Sequence, residues 1–174
     1  TEKKELSTLI NFNQTGALDM SFFASERFKK TGITLYLSQN NQIAYDANGD
    51  GLSDIPKTTR STLNLKFFYY PTKNATLSVG FNAGIETRLG GDMKAINTGA
   101  DSVHTFFEEN KTNRYSSQIK FEKTFENKNV LTFKNSVGFF NRKINGSLAQ
   151  FEGRQWATFT EINCLLPSEK SEWN

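Results

Sequence analysis

The residues best placed to do chemistry lie in one run, Asp46-Ala47-Asn48-Gly49-Asp50-Gly51-Leu52-Ser53-Asp54. With Asp46 as its first position, side-chain oxygens fall at the first, third, fifth and ninth, a glycine stands at the sixth, and the Leu52 carbonyl is available at the seventh. Loops that wrap a hard cation use this spacing, because alternate oxygens must turn toward one centre and the glycine permits the sharp bend. The twelfth position is Lys57 rather than a bidentate Glu, and Pro56 forbids a following helix, so the run is no EF-hand. A calcium ion here would be held weakly, with a Kd of about 10⁻⁴ to 10⁻³ M as in extracellular modules. The same composition also reads as a turn-rich loop whose side chains bond their own backbone and water. The candidate metal ligands are Asp46, Asn48, Asp50, Leu52 and Asp54, and calcium is the cofactor they would take.

Elsewhere the chemistry is thin. His104, the only histidine, sits in a long connection beside Thr105, Phe106 and Phe107, where a lone histidine is ordinarily solvated or packed. The single Cys164 excludes an intrachain disulfide framework and any multi-cysteine zinc site, and it reads as a small strand residue rather than a nucleophile. Neither has a partner at a catalytic spacing, so the chain is not expected to be an enzyme. Sequons at Asn13, Asn74, Asn110 and Asn145 are what chance supplies in a chain with 18 Asn, 18 Thr and 14 Ser. The net charge of +3, from 21 basic and 18 acidic residues, is too small and too evenly spread to call for nucleic acid.

The elements that must position these residues show a period of two. From Arg60, the positions Ser61, Leu63, Leu65, Phe67 and Tyr69 alternate with Thr62, Asn64 and Lys66. After a turn at 71–74, Ala75, Leu77, Val79, Phe81, Ala83 and Ile85 alternate with Thr76, Ser78, Gly80, Asn82, Gly84 and Glu86. Two such strands and a four-residue turn predict a hairpin. The device recurs with Tyr115, Ile119, Phe121 and Phe125, a turn at 126–129, and Leu131, Phe133, Val137 and Phe139. A third hairpin joins Leu18, Met20, Phe22 and Ala24 through 29–32 to Ile33, Leu35 and Leu37. Leu6, Thr8, Ile10 and Phe12 suggest a first strand, and Trp156, Ile162, Cys164 and Leu166 a last one, for about eight in all. The 16 Phe and 5 Tyr argue against disorder, and the abundant small polar residues against a helical bundle.

No run of about 18 apolar residues exists, which excludes a transmembrane helix but not a barrel, whose strands average out in hydropathy. Strand length, the polar face and the rhythm of the connections favour a membrane barrel over a soluble sandwich. Runs that alternate for 11 to 13 residues are about twice the usual strand length of ~5 to 6, and tilted by ~40° they stand about 30 Å tall. The polar positions Lys66, Glu86, Lys120, Glu122 and Lys134, with Gly80, Gly84 and Gly138, suit a wet lumen. Short turns at 29–32, 71–74 and 126–129 alternate with expected long loops at 45–59, 88–112 and 142–150, the parity of tight periplasmic turns and long extracellular loops. The aromatic pairs near Pro71 and at Phe139-Phe140 are expected near strand ends, as an interfacial girdle. The fold class expected is all-β, an antiparallel up-and-down transmembrane β-barrel segment spanning 1–174. Thr1-Glu2-Lys3-Lys4 carries no initiator Met or signal peptide, and Pro167 to Asn174 reads as a polar turn, so the chain is expected to be an excised piece.

The order Ala44-Tyr45-Asp46 through Asp54-Ile55-Pro56, then a strand, Tyr70-Pro71 with a short turn, a second strand, and Thr87-Arg88-Leu89-Gly90-Gly91-Asp92 resembles the early barrel of TonB-dependent outer-membrane receptors of the Bacteroidetes kind. The resemblance covers residues 17 to 145. It implies about eight strands of a larger barrel of about 22. It also implies active uptake of a siderophore, cobalamin, haem or glycan, and energy delivered by TonB through a plug region that this sequence does not contain. Location in the bacterial outer membrane and contact with its lipid follow from the same resemblance. Two other readings stay open: a self-contained eight-stranded outer-membrane barrel with a structural or adhesive role, and a soluble secreted β-domain that binds calcium. In the barrel readings Leu65, Phe67, Leu77, Val79, Phe81, Ile119, Phe121, Phe133 and Val137 are expected to face lipid, and Asn64, Lys66, Asn82, Glu86, Lys120 and Glu122 the lumen.

Overall fold

The computed structural model describes residues 4–167 and 172–173. Nine strands form one sheet in strict sequence order: β1 (Glu5–Phe12), β2 (Ala17–Arg27), β3 (Thr31–Gln42), β4 (Lys57–Thr72), β5 (Ala75–Gly91), β6 (Phe107–Thr124), β7 (Val130–Gly146), β8 (Gln150–Pro167) and β9 (Glu172–Trp173). Every neighbouring pair is antiparallel. The eight strands read from the alternation are all present, and the two-residue β9 pairs only with Leu166 and Pro167. Residues 168–171 and 174 of the expected C-terminal turn, and 1–3 at the start, lie outside the described residues. The sheet is open: β1 lies at one edge, and beyond the contact with β9 the other edge is β8. No helix among the described residues is long and apolar enough to cross a membrane.

Register decides which side chains share a face, since residues directly opposite in a pair point the same way. One row runs Leu6, Ala24, Leu35, Leu65, Phe81, Ser117, Val137, Thr158. The next rows add Ile33, Phe67, Val79 and Ile119, then Tyr69, Leu77, Phe121, Phe133 and Ile162. All nine residues expected to share the apolar face do so, and the six expected on the polar face lie on the other.

The apolar face is the more exposed of the two. Along β4, Leu65, Phe67 and Tyr69 are 38%, 46% and 40% exposed, whereas Asn64, Lys66, Phe68 and Tyr70 between them are half-buried. No large side chain is fully buried among the described residues, and the buried apolar residues are Ala17, Ala75, Ala95 and Ile96. A water-soluble domain of this size normally encloses its apolar side chains in a core; this sheet turns them out.

Strands β4 to β8 run for 16 to 18 residues, longer than their alternation. The extra length is polar on both faces, as in Glu108-Glu109-Asn110-Lys111-Thr112-Asn113 of β6, where backbone pairing with β5 and β7 continues without an apolar stripe. The expected loops shrink accordingly. The connection around 45–59 becomes 43–56, 88–112 becomes 92–106, and 142–150 becomes a tight turn at 147–149 closed by the Gly146 N–H on the Ala149 carbonyl, 3.0 Å. Phe139 and Phe140 consequently stand inside β7 rather than at its end. Pro71 sits in a register shift between Tyr69 and Thr72, where a residue without an N–H costs no ladder bond.

Candidate functional site

The two long connections lie at the same end of the sheet and are fastened together. Loop 43–56 is closed at its neck by the Tyr45 and Ile55 backbones, which exchange hydrogen bonds of 2.9 and 3.0 Å. It then docks on the end of β5. The Ser53 N–H donates to the Gly91 carbonyl, 2.9 Å, the Met93 N–H to the Gly51 carbonyl, 2.9 Å, and the Gly91 N–H to Ser53 Oγ, 2.9 Å. Gly91 has φ +125, and a Cβ there would stand 2.5 Å from the Phe106 carbonyl oxygen and 2.7 Å from Phe107 Cα. Only glycine lets the strands approach so closely at that φ.

Within the loop, Asp46, Asn48, Asp50 and Asp54 are turned onto the backbone. Asp46 Oδ1 accepts from the Gly49 N–H, 2.7 Å, and Oδ2 from the Gly51 N–H, 2.8 Å. Asp50 Oδ1 accepts from the Leu52 N–H, 2.8 Å, Asn48 Oδ1 from the Asp50 N–H, 3.1 Å, and Asp54 Oδ2 from the Ala47 N–H, 2.8 Å. The Gly51 N–H above all, with those of Gly49, Asp50 and Asn48 and against some desolvation, holds the Asp46 carboxyl below its ordinary value. Among the described residues no three His, Cys, Asp or Glu side chains are gathered as a metal set. The run with cation-loop spacing thus holds Asx turns at Asn48 and Asp50, while Asp46 and Asp54 bond more distant N–H groups of the loop, each carboxylate keeping lone pairs free for a further donor or ion.

The histidine expected to stand alone has a partner. Asp92 caps the short helix α1 (Met93–Thr98), its Oδ1 accepting from the N–H groups of Lys94 and Ala95 at 2.8 and 3.2 Å, while its Oδ2 lies 2.7 Å from His104 Nδ1. Asp101 holds the turn that delivers His104, accepting from the Val103 and His104 N–H groups at 2.8 and 2.7 Å. The His104 hydrogen bond first, then the Lys94 and Ala95 N–H groups, against partial desolvation, keep the Asp92 carboxyl below its ordinary value. The local signals were an Asp just before a short helical run and an Asp three residues before the histidine, both turn-formers; the pairing of 92 with 104 is tertiary. The pair ties the cap of α1 to the turn that carries His104.

Below the loops, β4, β5 and β6 place Arg60, Glu86, Arg88 and Arg114 on the polar face. Glu86 is ion-paired to Arg60 through Oε2 and to Arg88 through Oε1, the latter at 2.6 Å. Arg114 stacks on the Phe140 ring, 5.2 Å from guanidinium to centroid. Glu86 was expected in the lumen and Arg88 belongs to the Thr87–Asp92 stretch of the receptor resemblance, but Arg60 and Arg114 sit in no local motif, so nothing in the sequence joins the three arginines. Cys164 is exposed and shares the apolar face with Leu131. Of the sequons, Asn110 and Asn145 lie within strands and accept side-chain hydrogen bonds from Arg142 and Gln150, Asn13 closes the β1–β2 turn, and Asn74 stands in the β4–β5 turn.

In comparisons with known proteins, no family model, no curated protein and no solved structure matches the chain.

Proposed function

We propose that the chain forms part of the transmembrane barrel of a TonB-dependent outer-membrane receptor, which imports a bulky nutrient of the siderophore, cobalamin, haem or glycan class. The observation that carries the reading is the inverted sheet: sequential antiparallel strands whose apolar side chains occupy the more exposed face over a sheet without a core. On β5 the apolar residues from Leu77 to Ile85 span eight steps, about 26 Å along the strand and about 20 Å of height at a tilt of ~40°, close to the ~25 Å apolar band of outer-membrane barrels once the border side chains are added. Tyr115, Phe139 and Trp156 make one row at the upper border, with centroid separations of 6.4 and 4.8 Å, and the next row is Asn113, Asn141 and Arg154. The amphipathic rings of Tyr115 and Trp156 on either side of Phe139 at an apolar–polar border match the interfacial pattern. In this reading the polar face lines the lumen, loops 43–56 and 92–106 face the cell exterior, and the turns at 28–30, 73–74 and 125–129 the periplasm. The fastening of the Asp46 loop to Gly91 and Asp92 joins the two segments on which the receptor resemblance rests.

One observation favours a second reading. The long strands number eight, and β1 and β8 run antiparallel, so a small barrel could close between them. A soluble calcium-binding domain has the exposed apolar face against it.

The test places single cysteines by Asn74→Cys and Ser102→Cys, in a Cys164→Ser background, and treats intact cells with an impermeant thiol reagent. Labelling at 102 alone is expected. Labelling at 74 alone inverts the topology, and a chain found only in the soluble fraction refutes the membrane reading.

A further inference from the structure

The polar face carries a recess of about 440 Å³ lined by Arg60, Thr62, Gly84, Glu86, Arg88 and Arg114. Three adjacent strands build it from consecutive rows: Thr58, Arg88 and Asn110; Arg60, Glu86 and Thr112; Thr62, Gly84 and Arg114. Gly84 makes the space, since a Cβ built on it would meet nothing within 4 Å. Three guanidinium groups and one carboxylate line the recess, which therefore carries a cationic surplus of two charges.

The arrangement is fixed in place. Glu86, its side chain 20% exposed, holds Arg60 with one oxygen and Arg88 with the other, which positions both forks without neutralising both charges. Each guanidinium has five N–H donors, so donors remain on both after these pairs form. Arg114 has no ion-pair partner among the described residues, and its described contact is the face of Phe140. Thr62 and Thr112 add hydroxyls beside the cations. Planar forks at strand spacing match oxygens of carboxylate or phosphate groups bidentately, and a volume of this order falls in the range of small-molecule sites.

The geometry points to a binding site for a small polyanion, a molecule bearing two or more carboxylate or phosphate groups, seated against Arg114 with Arg60 and Arg88 on its flanks. As a step on the path of cargo this rests on the receptor reading above; as a site it needs only β4, β5 and β6. An acidic protein segment would bind along the face and gain little from the small pocket at Gly84, whereas a compact anion needs that pocket.

The experiment titrates the refolded full chain in detergent with citrate and with inorganic phosphate at low ionic strength, by calorimetry. Citrate is expected to bind more tightly than phosphate, with a Kd of about 1 mM or below, and to weaken as salt rises. Arg114→Gln and, independently, the charge-neutral Gly84→Leu should each weaken citrate at least tenfold, and Arg154→Gln on the other face should leave it unchanged. Circular dichroism confirms that each variant keeps its sheet. Absence of citrate binding overturns the site, as does binding that Gly84→Leu does not touch. A poly-glutamate peptide that binds more tightly than citrate and ignores Gly84→Leu assigns the patch to protein docking and overturns the proposal. Citrate binding that survives a failed whole-cell labelling test leaves the site standing and removes only the receptor reading.

Discussion

Replacing Phe81 by arginine separates a lipid-facing sheet from a water-facing one. Phe81 lies midway along the apolar run of β5, opposite Leu65 on one side and Ser117 on the other, and is 43% exposed. In a bilayer that row is near the midplane, where an arginine on the lipid face costs about 2 to 4 kcal/mol. In water an already exposed side chain falls among surface substitutions, worth about 0.5 kcal/mol in either direction. Asn82→Arg is the internal control, because Asn82 points to the polar face and donates to Ser116 Oγ at 3.0 Å, so an added charge there stays wet. Folding into phosphatidylcholine vesicles is followed against urea. With a slope of about 2 kcal/mol/M, a loss of ~3 kcal/mol moves the midpoint down by about 1.5 M for Phe81→Arg and hardly at all for Asn82→Arg. The reasoning fails if Phe81→Arg lies within ~0.5 kcal/mol of the parent, or if the two variants cost the same.

Gly91→Ala should release the docked loops, because its φ and the backbone of Phe106 and Phe107 leave no room for a Cβ. Strain of about 1 to 3 kcal/mol predicts a roughly 5- to 150-fold loss of hydrogen-exchange protection at Ser53, Asp92 and Met93, and unchanged protection refutes it. Asp92 and Asp101 titrate below their ordinary value in the folded loop, so their stabilisation is present above about pH 3.8 and is lost as pH falls through the lower folded values. The side-chain carboxyl carbon resonances of Asp92 and Asp101 should show protonation only below about pH 3.8; protonation of either carboxyl centred above that value would contradict this. Calcium titrated to ~5 mM should give a signal from the Asp46 loop that Asp50→Ala abolishes and magnesium does not reproduce, whereas silence at that concentration leaves the loop held by its backbone hydrogen bonds alone.

Alternation by itself determined much of this protein. A period of two along Leu63 to Tyr69, Leu77 to Ile85 and Leu131 to Phe139 fixed the strand class, the order of hairpins and the members of each face, because in a pleated strand parity alone assigns the side of every residue. The Asp46 run was legible as a tightly turned, oxygen-rich loop for a similar reason: Asx and glycine turns are local. What tertiary structure decided was everything that depends on a neighbour. Strands β4 to β8 run past the apolar band because a paired backbone continues whether or not its side chains alternate, so the loops at 88–112 and 142–150 came out shorter than the sequence predicted. His104 met Asp92, and Arg60, Arg88, Arg114 and Glu86 came to line one recess over Gly84, only when register placed distant residues side by side. Sequence carries the parity of each strand, but the registration between strands, set by turn lengths and the fit of whole faces, is where these contacts arise.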